Sequence, residues 1–260
     1  MLATEQDISG MRVAGKAAAD LLNLLSSHIK PGISTGELNR IAAEWTADIG
    51  GVSAPYNYAA NGHQPFPAHI CTSVNEIACH GMPSNDVILV DGDIVNIDVT
   101  PIINGYHGDV SKTFAVGRCS REALELIAAT EKCLCAGIDA ARAGEYIGTI
   151  GYAVSKTAND LGYSIVREFS GHGIGRKFHT QPYVPHYGIP NTGIKLSAGM
   201  IFTIEPILCK GNPTIFFRND WEAIIASGNI SAQAEHTILI CSDKTEILTY
   251  EPSRQGIGEG

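Results

Sequence analysis

Apolar residues recur at helical spacing from Asp7 to Ile29, and Lys30-Pro31-Gly32 ends that run. A second amphipathic stretch follows. Ser34 stands three residues ahead of Glu37, the pattern of a capping box, and Asp48-Ile49-Gly50-Gly51 closes the helix. Residues 51–79 mix Pro, Gly, Asn and His with short β-prone runs, which predicts loop plus one strand. Residues 88–116 read as strands. Ser120 opens a third helix to about Ala141, a fourth follows to Leu161, and β-prone segments return from Gly162 to Thr249. Residues 251–260 lack apolar anchors and are expected to fray.

The order helix, helix, strands thus occurs twice. KPGISTGELNRIAAEWTADIGG and RAGEYIGTIGYAVSKTANDLGY share the pairs Gly32/Gly144, Gly36/Gly148, Asp48/Asp160 and Gly50/Gly162 at one offset. This predicts one α+β domain over 1–260. It would consist of two similar halves, about 1–118 and 119–250, with helices packed outside antiparallel sheets.

One stretch resists this simple patterning. NIDVTPIINGYHGDVSKTF, Asn96 to Phe114, sets Asp98 and Asp109 on either side of an Asn104-Gly105 pair, a strong two-residue hairpin signal. In that register Ile103 faces Tyr106, Thr100 faces Asp109, and Asp98 faces Ser111. Asp98, Thr100, His107 and Asp109 then share a face, unless a bulge at Gly108 shifts the pairing. The two aspartates become diagonal neighbours, roughly 7 Å apart at the backbone. Like charges so placed repel, and a shared cation would compensate them.

Other polar residues inside apolar strands supply further ligands. SGHGIGRKFH carries His172 and His179, GMIFTIEPILC carries Glu205, and SAQAEHTILI carries Glu235 and His236. Unpaired acids are rarely buried. Four acids and one histidine make sense together as a dinuclear metal site with bridging carboxylates. Oxygen-rich ligation with one imidazole favours Mn, Fe(II) or Co, leaves Zn open, and argues against soft thiolate metals.

Composition narrows the remaining classes. The 260 residues are 44% hydrophobic, enough for a sizeable core. A net charge of −9 argues against a nucleic-acid partner, because phosphates need Lys and Arg to replace their counterions. The seven cysteines form no C-x-x-C pair, so neither a zinc ribbon nor a thioredoxin-like site is indicated. The N-terminal stretch MLATEQDISG carries early acids and has no apolar signal region, and no apolar run approaches a bilayer span. These features lead to the expectation of a reduced, cytoplasmic protein without a membrane partner.

The segments SVNEIACHGMP, VNIDVTPIINGYHGDVSKTF, REFSGHGIGRKFH, FTIEP and AQAEHT occur in this order, and together they resemble the type I methionine aminopeptidases, whose fold is called pita-bread. The resemblance runs from about Ile8 to Leu248 and is to the short bacterial form. It implies removal of the N-terminal methionine from nascent proteins and peptides, with preference for a small second residue. It implies two divalent ions, with Asp98 on one, Asp109 and Glu235 bridging both, and His172 and Glu205 completing the other. A water bridging the metals would attack the scissile amide, with Glu205 as proton shuttle. His80 would contact the substrate near that amide, and His179 its carbonyl. Phe66, Cys71, Phe178 and Trp221 hold the methionine-pocket positions, and Asn75, Ile77 and Ser231 those of a monovalent cation. The implied protein is a monomer whose partner is the N-terminal peptide of a nascent chain, with a ribosome contact left open.

Some residues depart from the pattern or fall outside it. In YNYAANGHQPFP, His63 stands where Tyr is common and Ala60 where Cys is often seen, which bears on pocket shape. His236 points away from the ligand face and reads as structural; His28, His63, His69 and His186 read as loop or surface residues. GISTG matches the nucleophile elbow G-x-S-x-G only formally, because a helix rather than a strand precedes it. GHGIGR lacks the last glycine of a dinucleotide loop. Proline-specific relatives usually carry a long extra N-terminal domain, and silent members used for binding lose ligands, whereas all five positions are filled here.

Overall fold

The computed structural model describes residues 2–59, 62 and 64–249. The tail 251–260 and the departures at Ala60 and His63 lie outside the described residues. Among the described residues four helices, α1 (Glu5–Ser26), α2 (Thr35–Asp48), α3 (Arg121–Ala140) and α4 (Ile147–Asp160), accompany five small antiparallel sheets. Among the described residues no helix is long and apolar enough to cross a membrane.

α1 begins two residues before the apolar periodicity does. The Thr4 hydroxyl accepts the Asp7 N–H (3.2 Å) and the Asp7 carboxylate accepts the Thr4 N–H (3.1 Å), so a capping box sets the start. At α2 only half of the expected box forms. Ser34 Oγ accepts the Glu37 N–H, whereas the Glu37 carboxylate turns to Arg40. α1 and α2 bury Leu21, Leu22, Leu25, Leu38 and Ala42 against Val95, Ile97 and Val110 of the long hairpin. α3 and α4 bury Leu126, Leu134, Ile150 and Val154 against Phe202, Ile204 and Ile238. These two cores leave the polar faces of the central strands turned toward one another.

The two helix pairs enter alike. Gly32 and Gly144 take φ values of 95° and 93°, and Gly50 and Gly162 take 73° and 80°. Gly32 N–H reaches Leu89 O as Gly144 N–H reaches Leu196 O, and Gly36 N–H reaches Ser84 O as Gly148 N–H reaches Thr192 O. A Cβ on Gly36 would lie 2.3 Å from Asn85 Oδ1, and one on Gly148 2.4 Å from Ile189 O, so both positions demand glycine for close approach.

The hairpin keeps one register from turn to base. Ile103 pairs with Tyr106, Asp98 with Ser111 and Val99 with Val110, and Asn104 and Gly105 have φ of 51° and 79° as a type I′ turn requires. Gly108 introduces no shift; its N–H donates to Pro101 O at 3.0 Å. The ladder bends there into two sheets. The inner end, Ile94–Val99 with Val110–Ala115, pairs with Cys71–Val74, and the outer end pairs with Val52–Ser53. Gly108 is glycine because α1 lies on it: a Cβ would sit 2.0 Å from Ala14 O. Gly108→Ala should therefore force helix and hairpin apart and lower stability by about 2–3 kcal/mol or more, as overpacking against backbone does. Urea unfolding of the two proteins measures it.

Candidate metal centre

Three sheets converge on one cavity. Asp98 and Asp109 come from the hairpin, and His172 from the Ser170–Gly173 strand. Glu205 follows the Ile201–Ile204 strand, and Glu235 sits between Ser231–Gln233 and His236–Ile240. The seam is closed by backbone: Lys112 bridges Ala234, and the Glu235 N–H donates to Ser111 O at 2.9 Å. All five residues line a cavity of about 350 Å³, together with His80, His179, Phe66, Cys71, Phe178 and Trp221. Every metal-ligand and substrate position singled out in the sequence thus meets in one place.

Ligand atoms of Asp109, His172 and Glu235 all lie within 4.8 Å of one another. His172 Nε2 is 3.6 Å from Asp109 Oδ2 and 3.5 Å from Glu205 Oε1. Asp109, His172 and Glu235 are buried; Asp98 and Glu205 keep an edge open to the cavity. Burial raises the carboxyls of Asp109, Glu205 and Glu235 well above the usual range, and each feels the other acids. Asp98 is raised to about 7 by burial. Burial lowers His172 to about 4, so its imidazole is neutral at pH 7 with a lone pair free to ligate. Among the described residues no lysine or arginine lines the cavity to neutralise these acids, which Glu168 joins in the lining. An oxygen-rich donor set with one neutral imidazole and no compensating cation fits hard or borderline divalent metal.

Neighbouring side chains hold these acids in place, and pattern reading passed most of them by. Thr100 Oγ1 donates to Asp109 Oδ1 at 2.8 Å, and Thr203 Oγ1 donates to Glu205 Oε1 at 2.7 Å while accepting the His172 N–H at 3.0 Å. Thr203 stands two residues before Glu205, hence on the same strand face, a signal present in the sequence. His186 is not a surface residue. It is 1% exposed, and its Nε2 accepts the Glu205 N–H at 3.0 Å. Its position in a loop after the Thr180–Pro185 strand gave no apolar pattern to betray the burial. His107 turns from the acids: its Nδ1 faces Gly175 O at 2.8 Å, and its ring stacks on Phe178. His236 is structural as expected, with Nδ1 2.9 Å from Thr249 Oγ1.

Beside the acids lies an apolar recess. Phe66 and Cys71 are buried, and Phe66 meets Trp221 edge-on at 5.5 Å. Trp221 is braced from behind, its Nε1–H donating to Gln64 O. The adjacent Glu222, 5% exposed, accepts from Arg218, Asn219 and the Met82 N–H. Tyr58, not anticipated as a lining residue, supplies an aromatic hydroxyl to the cavity and meets Phe178 at 5.3 Å. His80 ends the Ile77–Cys79 strand with φ of 55°, a strained conformation for a non-glycine of the kind found at functional sites. Its ring lies between Trp221 (6.4 Å) and Phe169 (5.4 Å).

The chain matches the model of metallopeptidase family M24 over residues 9–242. It is 48% identical to methionine aminopeptidase A of Synechocystis over 95% of this chain and 96% of that protein. It is 42% identical to the methionine aminopeptidase of Rickettsia prowazekii over 96% and 95%. The crystal structure of a methionine aminopeptidase from Rickettsia prowazekii superposes with a TM-score of 0.92 at 40% identity, covering 96% of this chain and 99% of that one. A prolidase from Pyrococcus furiosus, at 20% identity and a TM-score of 0.76, shares the fold. With four acids and a histidine gathered in one cavity of a pita-bread fold, and with likeness along nearly its whole length, this chain belongs to the M24 metallopeptidases.

Proposed function

We propose that this protein is a methionyl aminopeptidase that removes the first residue of nascent proteins and peptides. The observation that carries the reading is the juxtaposition, in one cavity, of the acid cluster and an apolar aromatic recess. Asp98, Asp109, His172, Glu205 and Glu235 would hold two divalent ions, of Mn, Fe(II), Co or Zn. Bound there, the ions supply Lewis acidity and lower the pKa of water toward neutrality. Phe66, Cys71, Phe178, Tyr58 and Trp221 receive the methionine side chain, whose thioether suits aromatic edges. His80 orients the scissile amide. His179, lowered to about 3 by burial and the neighbouring histidines, is a neutral hydrogen-bond donor to the carbonyl. Glu205 moves the proton from nucleophile to leaving amine.

Several narrower points belong to the same reading. The protein would act as a monomer; the substrate arrives as the N-terminal peptide of a nascent chain in the cytoplasm, with or without a ribosome contact. The equivalent glycines and entry bonds of the two helix pairs support a single domain of two related halves. Asn75, Ile77 and Ser231 would form the monovalent-cation position; Asn75 O accepts Ser231 N–H and Oγ–H, which holds two of these residues side by side.

Tripeptides Met-X-Ser and X-Ala-Ser, compared by kcat/KM in metal-restored protein, test the function. Met-Ala-Ser should exceed Lys-Ala-Ser by more than ~100-fold, because the recess offers no partner for a desolvated ammonium. It should exceed Leu-Ala-Ser by only ~10–200-fold, as apolar pockets separate similar groups by about 1–3 kcal/mol. Equal cleavage of Lys-Ala-Ser would remove the methionine assignment even with the metals confirmed.

A further inference from the structure

Tyr58 and His179 are 121 residues apart in sequence, and their side chains meet: Tyr58 Oη lies 2.8 Å from His179 Nδ1. We infer that Tyr58 is a positioning residue that sets the tautomer of His179, so that the imidazole proton sits on Nε2 and is offered to the substrate. The inference rests on the peptidase reading for what the proton is offered to, but not for where the proton sits.

A neutral imidazole has one N–H and one bare nitrogen, and the partner of one decides the state of the other. Two arrangements are open to this pair. If Nδ1 carried the proton, the phenol would accept it, and the phenol's own proton would be left to solvent at the open edge of the cavity. Nε2 would then present a lone pair to a cavity already lined by five acids, and could only repel a carbonyl oxygen. If the phenol donates to Nδ1, both protons are placed, and Nε2–H becomes a donor. The second arrangement satisfies both groups.

The backbone around Tyr58 fixes its hydroxyl. Tyr58 N–H donates to Pro55 O, Phe66 N–H to Tyr58 O and Asn57 N–H to Phe66 O, all at 2.8–2.9 Å. The same loop carries Phe66 into the recess, and Gln64 O holds Trp221. The Tyr58 ring lies 5.3 Å from Phe178 and 6.3 Å from Trp221. One residue therefore touches both the recess for the first side chain and the group aimed at the scissile carbonyl. A side chain that fills the recess packs on the ring that holds the donor's proton in place, which ties recognition to activation.

The test is nitrogen-15 NMR of imidazole-labelled, metal-free protein, with the His179 signals identified by their loss in His179→Gln. Wild type should show His179 protonated on Nε2. Tyr58→Phe, which keeps the ring and its packing, should show a mixture of tautomers. In metal-restored Tyr58→Phe, kcat on Met-Ala-Ser should fall about 10-fold with KM within about twofold, the pattern of a lost transition-state contact. A proton on Nδ1 in wild type, an unchanged tautomer in Tyr58→Phe, or a changed tautomer with unchanged kcat each overturns the inference. The spectra are read without substrate, so they stand even if the peptide panel shows a different specificity.

Discussion

Chelation of divalent metal should abolish peptide hydrolysis by this protein, more than ~100-fold, and Mn(II), Fe(II) or Co(II) should restore it. The same treatment should reverse the pH dependence of stability. Asp109, Glu205 and Glu235 lie well above the usual carboxylate range and Asp98 at about 7, with burial the leading cause in each. A carboxyl raised in the fold contributes its full stability below the unfolded value near 4 and loses it as pH rises through the folded value. The buried histidines have the opposite sign. His80 and His172 are lowered to about 4 and His186 to about 3, so their contribution is complete above about 6.5 and lost as pH falls. Above pH 6.5 Asp98 passes through its folded value, and the other raised acids act in the same direction. The melting temperature of metal-free protein should therefore fall by several degrees between pH 6.5 and 8.5. With metal present it should hold or rise, because fewer protons remain to be displaced. Scanning fluorimetry across this window checks the sign, and calorimetry in two buffers of different ionisation enthalpy counts the protons released. Full turnover in verified metal-free protein would remove the metal mechanism.

What could be read from sequence follows the range of the forces involved. The hairpin register was legible because Asn104-Gly105 fixes it locally, and the four acids that meet His172 in the cavity stood out because acids in apolar strands are costly unless compensated. The start of α1 was misplaced by two residues because its capping box lies ahead of the apolar pattern. Gly108 was read as a source of irregularity, whereas it serves a helix crossing more than ninety residues back in sequence; no local pattern carries that. His186 and Tyr58 escaped for the same reason. Each meets its partner through a loop, where neither period 2 nor period 3.6 exists to show which way a side chain faces. Thr203 differs: it shares a strand face with Glu205, and alternation alone would have placed it beside the acid.

Asp109→Asn and Glu235→Gln should each weaken divalent-metal binding by more than ~100-fold, beyond the range seen when only a supporting group is lost, while His179→Ala leaves it nearly intact. The two acids sit where the sheets join. Asp109 is fixed from both sides, its carboxylate by Thr100 Oγ1 and its carbonyl by Thr237 Oγ1, and Glu235 is tied through its N–H to Ser111 O. The Asp109 carboxylate is held by Thr100 and the Glu235 backbone by Ser111, so the amide variants present a neutral, weaker oxygen at nearly the same place. Fixed geometry also gives the metal-free variants a distinct signature. Removing one of four mutually repelling acids relieves the empty cluster, so metal-free Asp109→Asn should melt at or above metal-free wild type near pH 8. Metal should raise its melting temperature far less than it raises that of wild type, since stabilisation scales with occupancy. His179→Ala should keep the full metal-induced rise and lose about 10²–10³-fold in kcat, as when a single donor to a developing oxyanion is removed. Titration of the metal-free proteins by calorimetry, alongside melting curves and steady-state rates, separates the three. Equal affinity loss in all of them would place His179 among the ligands. A large drop in metal-free stability for Asp109→Asn would mean that the cluster is held by hydrogen bonds to ionised acids rather than strained by their charge.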